Sequence, residues 1–100
     1  MNDDRLLSFL GICKRAGRLI SGADTVTKAV NEDKAVLVLY ASDVSENSLK
    51  QVLRAAREHN IPVLRLSRGK EELSYALGKH CGIICTTDTG FAEKILDLIN

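Results

Sequence analysis

Aromatic side chains and proline are scarce in this chain. Its 100 residues include two Phe, two Tyr, no Trp and a single proline, Pro62. With so few rings, any core must be aliphatic, built from Leu, Ile, Val and Ala. One proline and seven glycines also exclude a low-complexity or linker-rich chain. No apolar run approaches the roughly 18–20 residues needed to span a bilayer, so no membrane partner is expected. The opening Met1-Asn2-Asp3-Asp4 is acidic, unlike a signal peptide, and the expected location is the cytoplasm.

Cysteine is sparse and odd in number. Cys13, Cys81 and Cys85 cannot pair evenly and read as reduced, buried thiols. Cys81 and Cys85 lie four apart on an apparent strand, which predicts one shared face, with His80 adjacent. A second ligand pair is missing, so core cysteines are expected rather than a metal site.

Net charge is nearly absent as well, at +1. No global field draws in nucleic acid, and DNA is not an expected partner. Placement carries more information than the sum. Basic residues cluster at Lys14-Arg15 and Arg18, at Arg65, Arg68 and Lys70, and at Lys79-His80. Acidic residues cluster at Asp3-Asp4, Glu32-Asp33 and Glu71-Glu72. Either the basic groups converge into a patch or they form an ordinary solvated surface.

Catalytic signatures are missing too. There is no Gly-x-x-x-x-Gly-Lys-Ser/Thr phosphate loop, no Gly-x-Gly-x-x-Gly fingerprint and no Gly-x-Ser-x-Gly elbow. His59 reads as a helix C-terminal residue, and His80 is a loop histidine without an orienting carboxylate nearby in sequence. No enzyme and no cofactor are expected.

Hydrophobic residues make up 45% of the chain, enough for one domain with a real core. Residues 4–16 follow the i, i+3, i+4, i+7 pattern through Leu6, Phe9, Leu10 and Cys13, and Gly17 ends that helix. Leu19-Ile20 is a short extended piece. Residues 22–32 form a second helix with Val26, Ala29 and Val30 inward. Ala35 to Ala41 is a continuous apolar run, the mark of a central strand covered on both faces. Residues 45–59 are helical, with Leu49, Val52, Leu53 and Ala56 as the buried stripe. Strand Val63–Leu66 follows, then a turn, a short helix from Lys70 to Leu77, the loop Gly78–Gly82 and strand Ile83–Thr86. A last helix, capped by Asp88 or Thr89, buries Phe91, Ile95 and Leu98 or Ile99. Strands alternating with helices predict an α/β domain with a mostly parallel sheet and helices on both faces.

The densest stretch of signals is Ser21-Gly22-Ala23-Asp24-Thr25-Val26-Thr27-Lys28. A glycine-containing turn opens a helix whose first turns carry Asp24, Thr25 and Lys28 on related faces. A helix entrance offers unpaired N–H groups and a positive dipole end, which suit phosphate. The same residues allow a purely structural reading. Ser21 and Asp24 have the Ser-x-x-Asp spacing of a capping box, with Lys28 merely solvated.

With its elements in this order, the chain resembles the L-seven-Ae family of ribosomal and kink-turn RNA-binding proteins, in its small bacterial branch. The resemblance covers nearly the whole chain. It is carried by Gly22 to Val30, Ala35 to Asp43, Asn60-Ile61-Pro62-Val63, Lys70-Glu71-Glu72-Leu73 and Ala76-Leu77-Gly78. It implies a three-layer α/β/α sandwich around a mixed four-stranded sheet. It implies a non-catalytic protein, expected as a monomer, that binds structured RNA, a kink-turn and potentially ribosomal RNA. The family's Asn, Glu and Lys contacts map onto Asp24, Thr25 and Lys28. Asp24 differs from the family's Asn: a carboxylate accepts hydrogen bonds but donates none. The family's second contact loop maps onto Gly78–Gly82, with Lys79 in place of an aliphatic residue. Gly22, Ala23, Asp24, Thr25, Lys28, Arg68, Lys70, Lys79 and His80 are therefore the expected RNA-binding residues. The alternative on the same fold is a protein–protein adaptor, which would show an apolar rather than a cationic face beside Gly22.

Overall fold

A computed structural model describes residues 4–99. The expected acidity of Met1 to Asp3 lies outside the described residues. The elements run α1 (Arg5–Arg15), β1 (Leu19–Ser21), α2 (Ala23–Asn31), β2 (Leu37–Tyr40), α3 (Glu46–Glu58), β3 (Val63–Arg65), α4 (Lys70–Leu77), β4 (Ile83–Thr86) and α5 (Thr89–Ile99).

Local chemistry sets the helix ends. Asp4 caps α1 by accepting from the Leu7 N–H at 3.2 Å. At its other end Gly17 adopts φ 74°, while Arg18 N–H returns to the Cys13 carbonyl and Gly17 N–H to that of Lys14. These paired bonds satisfy carbonyls the helix leaves open, and they need a left-handed residue, so glycine ends the helix as its position predicts. Ser45 caps α3 through the Ser48 N–H. Asp88 caps α5, accepting from Phe91 N–H at 2.9 Å.

The sheet has the order β1-β4-β2-β3. β2 pairs in parallel with β3, and β4 pairs antiparallel with both β1 and β2. The mostly parallel sheet predicted from element alternation is therefore corrected to a mixed one. The chain turns back after α4, which ends at Gly78 with φ 71°. Ser74 Oγ then accepts from Cys81 N–H and donates to the Cys81 carbonyl, at 3.0 and 3.1 Å, tying the following loop back onto the helix. A parallel crossover needs a helix that travels back along the strands. Here the chain instead re-enters the sheet from the end where β3 left it.

β2 is buried on both sides, as its unbroken apolar run predicts. Leu37 and Leu39 join Leu6, Leu10, Leu73, Ile84 and Ile95 beneath α1, α4 and α5. Val38 joins Val26, Val30, Val52, Ile83 and Cys85 beneath α2 and α3. This is the three-layer α/β/α sandwich. Each fully buried Leu or Ile contributes about 1.5–3 kcal/mol. Phe9 is only half-buried and meets Phe91 edge-on, with ring centroids 5.5 Å apart. On α3 the buried residues are Val52, Ala55 and Ala56, while Leu49 and Leu53 sit partly covered at the edge of the stripe.

The cysteine reading needs correction. Cys81 lies in the loop before β4, on the α1 side of the sheet, and Cys85 lies on the α2 side. They do not share a face, because the two-residue alternation begins only at Ile83.

Candidate nucleic-acid interface

Sheet direction decides what assembles. β1, β2 and β3 all end at the edge where β4 begins, since Ser21 pairs with Ile84 and Tyr40 with Ile83. The starts of α2, α3 and α4 and the loop 78–82 therefore meet at one end of the molecule.

At the centre is Gly22. Its φ of 101° and ψ of 138° are open to glycine and strained for other residues. Its N–H donates to the Ile83 carbonyl at 2.9 Å, fixing the α2 entrance to the sheet. Among the described residues no side chain caps this helix. The Ser21–Asp24 capping box predicted from spacing is thus absent. Ser21 belongs to β1, and pairing with Ile84 holds its backbone extended. Thr27 turns inward and donates to the Ala23 carbonyl at 2.7 Å. Asp24, Thr25 and Lys28 all face solvent.

Three shallow grooves meet at this entrance. One, of about 530 Å³, sets Gly22, Asp24 and Thr25 against Asn47, Ser48 and Gln51 of α3. A second, of about 180 Å³, sets Ala23 against Ser48, Lys70, His80 and Gly82. A third, of about 290 Å³, joins Thr25 to Lys14, Leu77 and Lys79. Ala23, Thr25 and Ser48 each border two of them, so the helix entrance and the loop 78–82 form one continuous surface. Gly82 makes this closeness possible. A Cβ there would lie 2.8 Å from Val44 Cγ2 and 3.0 Å from Lys70 Cγ.

Of the nine residues singled out from sequence, Gly22, Ala23, Asp24, Thr25, Lys70, Lys79 and His80 border this surface. Lys28 stands one turn further along α2, outside the grooves. Arg68 is set apart. Its guanidinium donates twice to the Asp4 carboxylate, at 2.7 and 2.8 Å, and both side chains are largely buried. Partial burial pushes the Asp4 carboxyl up, but the Arg68 and Leu7 hydrogen bonds outweigh it and hold the pKa below its ordinary value. Arg68 thereby fastens the β3–α4 loop to the start of α1.

Sequence reading placed Lys14 in a basic cluster without singling it out as a site residue, and it missed the α3 residues Asn47, Ser48 and Gln51 as members of this surface. Lys14 Nζ donates to the Leu77 carbonyl at 2.6 Å, placing its charge at the negative end of α4. The partners are 63 residues apart, so no local pattern announces them. For α3 the one signal was the polar run Ser45-Glu46-Asn47-Ser48 at a helix start.

The surface is polar and carries three lysines. Among the described residues the exposed large hydrophobics are Ile12, Tyr75 and Leu96, none of which borders the three grooves. Among the described residues no group of three or more His, Cys, Asp or Glu is placed to hold a metal ion. Burial raises all three cysteine pKa values, that of Cys85 to about 12. Such thiols are protonated at neutral pH and poor as nucleophiles or ligands. Also among the described residues, no helix is long and apolar enough to cross a membrane.

Comparison with known proteins agrees with this architecture. An RNA-binding protein YlxQ from Enterococcus faecium is 31% identical over 98 residues, covering 98% of this chain and 94% of its own. The YlxQ protein of Bacillus subtilis (strain 168) is 32% identical over 93 residues, covering 92% of each chain. A solved structure of a protein of unknown function from Bacillus halodurans C superposes with a TM-score of 0.88 at 34% identity, over 97% of this chain and 98% of that one. The Giardia lamblia 15.5kD RNA binding protein shares the fold, with a TM-score of 0.72 at 19% identity over 99% and 88% of the two chains. The family profile matches residues 4–96, and the chain belongs to the ribosomal protein L7Ae/L30e/S12e/Gadd45 family.

Proposed function

We propose that this chain is a non-catalytic, cytoplasmic RNA-binding protein that recognises and stabilises kink-turn RNA, acting as a monomer within the ribosome or another ribonucleoprotein. The observation that carries the reading is the uncapped entrance of α2, flanked by Lys14, Lys70 and Lys79. Unpaired N–H groups and a positive dipole end attract a phosphate or a base edge, and the lysines add charge around them. Asp24 accepts hydrogen bonds from guanine amino groups. The names of the YlxQ relatives support the RNA assignment. The polar character of this surface favours RNA over a protein partner, for which an apolar patch is the expected mark.

The mechanism is shape readout. A sharply bent helix brings phosphates together and is sparsely populated alone. A protein that binds the bent form better than the straight one shifts the balance by that difference in affinity. Lysines at the rim offset the phosphate repulsion that divalent ions otherwise screen. Energy transfer between dyes on the two RNA arms, titrated with protein at low divalent ion, tests this. Saturating protein should shorten the arm distance. An unchanged distance on a kink-turn with intact G·A pairs overturns the proposal.

A further inference from the structure

A further groove lies away from the α2 entrance, between α1 and α4. It measures about 670 Å³ and is bordered by Leu7, Gly11, Arg15, Glu72, Tyr75 and Ala76, with Asp4 at one end. Tyr75 is 91% exposed. Leu73 and Leu77 turn into the core, so the ring two residues from each projects outward. Gly11 is buried, and a Cβ there would lie 3.5 Å from the Ala76 carbonyl and 3.7 Å from Arg15 Nη1. Both distances are ordinary contacts, and they place the Ala76 backbone and the Arg15 guanidinium on either side of Gly11 at the groove floor.

Charge in the groove is mixed but unevenly placed. Asp4 is neutralised by Arg68. Glu72 Oε1 accepts from the Gly69 N–H at 3.2 Å, at the helix start. Arg15 makes no ion pair among the described residues. Glu72 keeps its negative charge at the start of α4, and Arg15 is the groove's unpaired cation, at the end nearest the candidate interface. Lys14 and Arg15 are consecutive on α1, as are Ala76 and Leu77 on α4. The first groove takes Arg15 and Ala76, and the Lys79 groove takes Lys14 and Leu77. The two surfaces are therefore neighbours around the end of α4.

We infer that this groove is a second RNA subsite, for a single-stranded nucleotide flanking the bent helix, whose base stacks on Tyr75 while Arg15 engages its phosphate. The inference rests on the RNA-binding function proposed above. An open ring and an unpaired guanidinium bordering one groove suit a base and its phosphate, because stacking tolerates any base and the cation neutralises the backbone. A peptide would bury more apolar area than one tyrosine and the half-covered Leu7 provide.

The test compares a blunt-ended kink-turn duplex with versions carrying six unpaired nucleotides, one carrying 2-aminopurine, at each strand end in turn. One extension should tighten wild-type binding about 5- to 100-fold. It should also quench the 2-aminopurine. Tyr75→Ala should remove that gain and that quenching while leaving blunt-duplex affinity unchanged, and Tyr75→Phe should retain both. Arg15→Gln should reduce the gain and its salt dependence. If the blunt duplex binds but no extension helps, or if the gain survives Tyr75→Ala, the subsite is refuted and the main interface stands. Absence of binding to every RNA overturns both. A photoreactive phenylalanine at position 75 should crosslink RNA in cells, and crosslinks to protein alone overturn the subsite.

Discussion

Two helix entrances in this molecule are built in opposite ways. The start of α1 is closed: Asp4 accepts from Leu7 N–H, and Arg68 neutralises its carboxylate with two short bonds. The start of α2 is open: Gly22 supplies no side chain, and Asp24 and Thr25 face solvent. The other entrances resemble α1, with Ser45 on α3, Asp43 accepting from Lys70 N–H at 2.7 Å on α4, and Asp88 on α5. Glycine at a cap position costs only about a few tenths of a kcal/mol relative to a capping side chain, so leaving α2 without one is a small concession in stability. The open entrance is also the one ringed by lysines. Where the fold needs only a stable helix it closes the end, and at the entrance proposed here for RNA it leaves the donors bare.

The largest effect that could sharpen this contrast is at Gly22. Its φ of 101° is forbidding for an L side chain. Gly22→Ala should cost about 1–3 kcal/mol of stability, read by chemical denaturation. Gly69, at the α4 entrance, has φ −83°. Gly69→Ala should therefore cost less. Equal losses at the two sites would show that backbone strain does not set them apart.

Closing chemistry at α1 gives the next effect. Asp4→Ala removes a cap and the partner of a largely buried arginine, so a loss of about 1–2 kcal/mol is expected at neutral pH. The Asp4 pKa is lowered in the folded state from an ordinary value of 3.8. Its contribution is therefore complete above that value and is lost as pH falls through the lower, folded pKa. The stability gap between wild type and Asp4→Ala should stay constant near neutrality and close below about pH 4. A gap that persisted in strong acid would assign the loss to packing rather than to the carboxylate.

A smaller effect is expected at Lys28, in binding rather than in folding. Lys28 faces solvent one turn beyond Thr25 and borders none of the grooves. Lys28→Ala should weaken all kink-turns alike and lower the salt slope by about one. Binding measured at several salt concentrations decides it, and an unchanged slope makes Lys28 a solvated helix residue.

The contrast between the entrances also shows what a sequence does and does not disclose. The stripes of α1 and α2, the stop at Gly17 and the doubly covered β2 were legible, because each depends on residues within a few positions. The surface joining Gly22–Thr25 to the loop 78–82 was legible through the resemblance, which supplies topology that periodicity lacks. What escaped depends on distant partners. Arg68 looked available for RNA until Asp4, 64 residues away, took its guanidinium. Ser21 had the spacing of a cap, but strand pairing with Ile84 claimed its backbone. The turn that leads into β4 is held by Ser74 on Cys81, a bond that no alternation pattern encodes.

The smallest effect is at Asp24, where the two functions of a helix entrance come apart most cleanly. Asp24 lies in the first turn of α2 and makes no capping bond. Its charge interacts with the helix dipole, so Asp24→Asn should cost only about a few tenths of a kcal/mol in stability. A true capping carboxylate such as Asp88 should cost more when replaced by alanine, about 1 kcal/mol. In binding the sign reverses. Asparagine supplies a donor that a carboxylate lacks and removes a negative charge facing phosphates, so kink-turn affinity should rise. Melting and binding measured on the same Asp24→Asn protein separate the two roles. Unchanged stability with tighter binding to bent RNA alone marks Asp24 as a recognition residue. Tighter binding to straight duplexes as well would show that only charge had changed. A stability loss as large as that of Asp88→Ala would mean that α2 is capped after all, and the distinction between its entrance and the others would fall.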